Sequence, residues 1–173
     1  RRSILPYSTQ MTGGRGAKFL HSVTEAGTGM SERSFCNHYE FPCLGVIINL
    51  IYAYCRFRDD EATWRRFYPV FREVAEFYRN YLLIELPGNN IMVIPLVDVD
   101  ELIYPVQDGP FTVFGGARAF QIAVETAERL GIEERPIDEW RRLGAMTLHL
   151  SRHLNDLTRA AAEGIVTFAG LPL

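Results

Sequence analysis

Of the 173 residues only one, Lys18, is a lysine; the remaining positive charge is arginine. There is no basic block and no zinc-knuckle spacing, and the net charge is −3. The electrostatic footprint of nucleic-acid binding is therefore missing. Cysteine is scarce: Cys36, Cys43 and Cys55, with no CxxC. An odd number cannot all pair internally, so the three read as buried or loop thiols, with a Cys36–Cys43 bridge as the lesser alternative. The compartment stays open. The apolar stretch Leu44–Cys55 is too short to span a bilayer and sits between polar flanks, so no membrane segment is expected. No secretory leader is visible. The chain opens Arg-Arg-Ser without an initiator methionine, which reads as the interior of a longer protein.

Motifs for phosphate, metal and serine or kinase chemistry are wanting too. The glycine stretch at 13–16 is not followed by GKS or GKT. Asp98-Val99-Asp100-Glu101 lacks the glycine and the spacing of an EF-hand. His21, His149 and His153 read as surface or interfacial histidines, since a zinc site wants a tighter constellation. Neither G-x-S-x-G nor a kinase set is present. No metal and no cofactor is expected.

What is present is helix. The length suits roughly one domain with a sizeable core. Residues 1–40 are loop-rich, with several Gly and Ser and little apolar periodicity. A first helix begins near Pro42, a favourable first-turn residue. Leu44, Val46, Ile47, Ile48, Leu50 and Ile51 cover all its sides, so burial between two layers is expected. Asp59 and Asp60 can cap a second helix. Along it Trp64, Phe67, Tyr68, Phe71, Val74, Ala75, Tyr78 and Leu82 recur at a 3.6 period, opposite a face of Arg and Glu. Pro69 inside this pattern predicts a kink, or a start near Tyr68.

Pro87-Gly88-Asn89-Asn90 is a turn and Ile91–Val97 a short strand. Gln107–Pro110 is a second break. A third helix is expected over about Gly116–Leu130, stopped by Gly131. A fourth opens at Pro136, with Ile137, Trp140, Leu143, Thr147 and Leu150 inward and Asp138 and Glu139 in the first turn. A short strand is expected near 165–168. The order is a loop-rich lead-in over 1–40 and two helical hairpins over 41–173, joined by a long acidic loop.

At these residues the chain resembles the catalytic domain of six-hairpin (α/α) barrel glycosidases, most of all the glycoside hydrolase family of inverting α-L-fucosidases (family ninety-five). That family carries W-P-x-G-G, an apolar helix, H-Y-x-x-T-G-D, a helix with A-Y-P and A-x-F-F, and a loop with P-S-x-S-P-E. The matching stretches are Phe41-Pro42-Cys43-Leu44-Gly45, Ala53–Asp59, Phe67-Tyr68-Pro69, Ala75-Glu76-Phe77-Tyr78 and Pro95–Glu101. The similarity continues through Phe120-Gln121-Ile122 to Leu130-Gly131, covering about residues 37–170. Two departures stand out. The family's acid Glu falls on Asp100 without a gap and on Glu101 with a one-residue shift, and an Asp before the Gln-Ile pair falls at Ala119.

The resemblance implies an all-α (α/α)6 barrel, seen as a fragment with short strands in its loops. It implies hydrolysis of a terminal sugar, an α-L-fucoside or a related one, with inversion. Such chemistry uses two carboxyl groups, one donating a proton to the leaving oxygen and one activating water. Glu101 or Asp100 is the expected acid; Glu101 matches in type and reaches further. In an extended loop Asp98 and Asp100 share one side and Glu101 faces the other. The carboxyls are close enough to raise one another's pKa, as a general acid requires. Asn37, His38, Glu40, Phe41 and Asp98 are the expected sugar-binding residues. The general base is expected on a later hairpin, so the remainder of the same barrel is an expected partner. Rival readings are a non-catalytic carbohydrate-binding or scaffolding helical protein, or a phosphorylase or lyase on the same barrel, a lyase drawing on Tyr104 or His38.

Overall fold

The computed structural model describes residues 16–19, 39–98 and 105–162, with the side chains of the last helix described to Asp156. Among these residues the elements are four α-helices and one two-stranded sheet: α1 Pro42–Arg58, α2 Glu61–Phe77, β1 Leu83–Leu86, β2 Asn90–Val93, α3 Pro110–Arg129 and α4 Pro136–Ala162. An all-α class is therefore observed. The strand expected near 165–168 lies outside the described residues.

Local chemistry accounts for the boundaries. Pro42 opens α1 and Asp59 closes it in the left-handed region (φ 48°), its N–H reaching Cys55 O at 2.9 Å. Asp60 then caps α2: Oδ1 accepts from Thr63 N at 2.8 Å and Oδ2 from Thr63 Oγ1 at 2.9 Å. Of the two acids expected to cap α2, Asp60 does so and Asp59 ends the preceding helix. Pro69 sits inside α2 without ending it. The helix unwinds instead through one π turn, Tyr78–Leu82, and passes directly into β1.

The β1–β2 hairpin is antiparallel, Leu83 opposite Val93 and Leu86 opposite Asn90, around the expected Pro87–Asn90 turn. Residues 83–86 thus leave the helical pattern, and β2 ends at Val93, short of the expected Val97. Helix α3 starts at Pro110, six residues before the expected Gly116; Pro110 stands in its first turn. Gly131 (φ 61°) ends it as expected.

The core lies where α1, α2, α3 and α4 meet. Trp64, Tyr68, Phe71, Val74, Ala75, Tyr78 and Leu82 are buried from α2 and its π turn, as are Ile137, Trp140, Leu143 and Thr147 from α4. Both inward faces match the sequence periodicity. Helix α1 crosses α3 so closely that a Cβ on Gly45 would stand 2.7 Å from Gly115 Cα. Only a glycine pair permits that backbone approach. Trp140 Nε1 donates to Glu76 Oε1 at 2.9 Å, and Arg79 joins Glu76 (3.1 Å) to Glu139 (2.7 Å), tying α2 to α4.

Helix α1 departs from expectation in one respect. Leu44, Gly45, Ile48 and Cys55 are buried, yet Val46, Leu50, Tyr54 and Phe57 are exposed, Phe57 at 86%. Its sequence is apolar on all sides, but among the described residues only one layer covers it.

Candidate active-site end

The acidic loop begins and ends on a backbone clamp. Leu96 and Val106 exchange both hydrogen bonds, Leu96 N to Val106 O at 3.1 Å and Val106 N to Leu96 O at 2.8 Å. Residues 97–105 lie between these two positions in the sequence. Next to the clamp, Asp108 takes a left-handed backbone (φ 55°) and its Oδ1 accepts from Val93 N at 2.6 Å. The loop base is thereby tied to the hairpin.

Asp98 fixes the loop to α3. Pro110 has no N–H, and the N-cap Gly109 has no side chain to offer, so the next donors of the helix need an outside acceptor. Asp98 supplies it: Oδ2 accepts from Phe111 N (3.2 Å), and Oδ1 accepts from Thr112 N (3.2 Å) and Thr112 Oγ1 (2.8 Å). The carboxylate is 4% exposed. A Cβ on Gly109 would lie 2.7 Å from Asp98 Cγ, so glycine there leaves room for the cap. Asp98 is thus a capping residue for α3, with both oxygens occupied.

The same strand-like segment lies beside the other stretch singled out in the sequence. Val97 N donates to Tyr39 O at 3.0 Å, and Glu40 pairs with Val97 in a parallel bridge. Two segments nearly sixty residues apart, both nominated as site segments, run side by side here. Glu40 is buried. Phe41 has no exposed surface and packs at 5.5 Å from Phe77 and 5.9 Å from Tyr81, centroid to centroid. Its ring belongs to the core, which leaves no open face for stacking on a sugar. Asn37, His38, Asp100, Glu101 and Tyr104 lie outside the described residues.

Sequence reading passed over three neighbours of this end. Ala17 N donates to Glu73 O at 2.8 Å, laying residues 16–19 along α2. Gly16 (φ 88°) allows the approach, since a Cβ there would meet Phe77 N at 2.4 Å. Lys18 follows with its ammonium 4.9 Å from the Phe41 centroid, a cation–π arrangement, and is 2% exposed. Burial pulls its pKa down to about 8, against a smaller upward pull from the Cys43 thiol. Cys43, half-buried, is pushed up first by burial and then by Glu40, with Lys18 opposing. Tyr78 is fully buried and its pKa is driven up by burial, then by Cys43 and Asp98. Its hydroxyl has no hydrogen-bond partner among the described residues and stands at the Gly45–Gly115 crossing. A lone lysine next to a glycine-rich loop was the only sequence signal for this cluster.

Chemically, this end gathers a buried ammonium, a buried carboxyl, a thiol and a phenol near Val97 and Asp98. Ionisable groups so far desolvated are typical of places where protons are handled. The other end of α1 is built differently. There a cavity of about 370 Å³ is lined by Tyr52, Arg56, Asp59, Trp64, Glu125 and Arg129. Its charged groups are mostly satisfied among themselves: Arg129 to Asp59 at 2.6 Å and Tyr52 Oη to Glu125 Oε2 at 2.7 Å.

Comparison with protein-family models and with curated proteins gives no match to this chain. No described helix is long and apolar enough to cross a membrane.

Proposed function

We propose that the chain is part of an (α/α) six-hairpin glycoside hydrolase domain that cleaves a terminal sugar, an α-L-fucoside or a related one, with inversion. Glu101 or Asp100 is the general acid, and Asn37, His38 and Glu40 contact the sugar. Asp98 positions the loop by capping α3, and Phe41 supports Glu40 from the core. The carbohydrate is the partner; nucleic acid and membrane are not.

The observation that carries the reading is the backbone hydrogen bond from Val97 to Tyr39. It sets Val97, which precedes the nominated acids in the sequence, beside Tyr39 and Glu40 of the segment chosen for sugar contact, and this supports the reading of a shared cleft. The open apolar face of α1 (Val46, Leu50, Tyr54, Phe57) adds support. Further hairpins of a barrel would cover it, and exposed apolar surface of that kind marks an interaction face. The base then comes from those hairpins.

Hydrolysis of a panel of aryl glycosides by the full-length protein, beside Glu101→Gln and Asp100→Asn, tests this. One cleaved sugar, with one variant slowed about 100-fold or more, assigns the acid. Tight sugar binding without turnover favours the binding-protein rival. Dependence on phosphate indicates a phosphorylase. Loss of activity in Tyr104→Phe or His38→Ala but not in Glu101→Gln indicates a lyase.

A further inference from the structure

His149 and His153 stand four residues apart on α4, one helical turn, so their side chains project from the same face. Both are exposed, and both line one groove of about 440 Å³ between α4 and the hairpin turn. Across the groove lie Asn89 and Asn90. Asn89 is held in the left-handed region (φ 62°), and Asn90 Nδ2 is committed to Pro87 O at 3.3 Å. The Asn90 carboxamide oxygen is left as an acceptor. Imidazole is the favoured side-chain ligand of Zn2+, Ni2+ and Cu2+. Two histidines at i and i+4 on a helix are the spacing by which helices chelate such ions.

We infer that this groove is a binding site for a divalent late transition-metal ion. His149 and His153 each supply one ring nitrogen, an Asn90 or Asn89 carboxamide oxygen supplies a third ligand, and water completes the shell. Among the described residues no three His, Cys, Asp or Glu side chains gather at one point. The site is accordingly an open two-imidazole clip and not a closed structural cage. A bound ion would fasten the tip of the β1–β2 hairpin to α4. The bidentate Arg142–Glu85 pair (2.8 Å for both bonds) already joins that helix to β1 one residue short of the hairpin's last strand pair, so the ion would reinforce an existing link. The site is on α4 and the hairpin turn and does not depend on the proposed hydrolase reading.

Calorimetric titration of Ni2+ and Zn2+ into the intact protein tests it, with Mg2+ as the oxygen-preferring control. One saturable site for Ni2+ and Zn2+, and none for Mg2+, is expected. His149→Ala and His153→Ala should each weaken it by at least the ~10–100-fold that loss of an outer-shell partner already brings. Both side chains are exposed, so the fold should survive, and a far-UV spectrum checks this. His21→Ala and His38→Ala should leave binding unchanged. Absence of saturable binding, binding that persists in both α4 variants, or binding lost with His21 or His38 would overturn the assignment.

Discussion

The two ends of α1 handle charge in opposite ways. At the Pro42 end, Lys18, Glu40 and Asp98 are buried, and Lys18, Cys43 and Tyr78 have pKa values displaced mainly by desolvation. At the Arg58 end, Asp59 and Arg129 are paired near solvent, with side chains 68% and 46% exposed. Exposed pairs contribute little to stability and little to chemistry. Buried ionisable groups are expensive to keep, and a fold that keeps several together gains reactivity or positioning for that expense. The first end, where Asp98 is anchored on α3, is therefore the chemically distinctive one.

The largest effect should come from removing the anchor. Asp98→Ala deletes one acceptor serving three donors and leaves Phe111 N, Thr112 N and Thr112 Oγ1 without it. A loss of about 2–4 kcal/mol is expected in chemical denaturation. If Asp98 only decorated a solvated loop, the change would be near zero. Next comes Gly45→Ala. Its new Cβ would meet backbone, Gly115 Cα at 2.7 Å, which cannot rotate aside. Overpacking of this kind should cost about 1–3 kcal/mol despite the better helix propensity of alanine.

Lys18 gives a smaller effect with a definite sign. Its folded pKa, about 8, lies below the ordinary 10.5. Between those values the unfolded chain binds more protons, so stability rises with pH there. Cys43 works the other way: its raised pKa makes stability fall with pH above the ordinary value of 9.0. The clean window is pH 8–9, where a gain of about 1 kcal/mol is expected. Lys18→Met should flatten that rise and raise stability at pH 7. A slope unchanged by the substitution would place the ammonium in water. The smallest effect belongs to the other end. Arg129→Ala breaks an exposed pair and should change stability by about 0.2–1 kcal/mol.

Much of the frame was legible from periodicity. The inward faces of α2 and α4 follow directly from apolar spacing, and Pro42, Pro136 and Gly131 mark helix ends as their backbone chemistry requires. One strand was missed and one helix start misplaced because local signals compete. Leu83–Leu86 directly follows the helical pattern that ends at Leu82 and carries no apolar–polar alternation, and only the downstream Pro-Gly-Asn-Asn turn with a strand beyond it shows that the chain must pair back. Gly115-Gly116 looks like a break but is the packing surface against α1 and Tyr78, so α3 begins earlier.

Of the candidate site, the acids and the 37–41 segment could be named from sequence. Their adjacency could not, because a bridge between Glu40 and Val97 leaves no periodic trace. Nor could the part played by Asp98: an acid fourteen residues upstream of its cap partner Thr112 carries no local capping signature. The burial of Lys18 was not legible for the same reason, since it depends on the approach of Gly16 to Phe77 and on the Phe41 ring, both phenylalanines being distant from it in sequence.

The central claim is that the 37–41 segment and the acidic loop form one catalytic site. A double-mutant cycle tests it most directly: kcat/KM for Glu40→Gln, Glu101→Gln and the pair, on whichever aryl glycoside is cleaved. A shared site predicts coupling of about 1 kcal/mol or more between the two changes. Additivity within about 0.5 kcal/mol, or no cleavage of any glycoside by the unaltered protein, would contradict it.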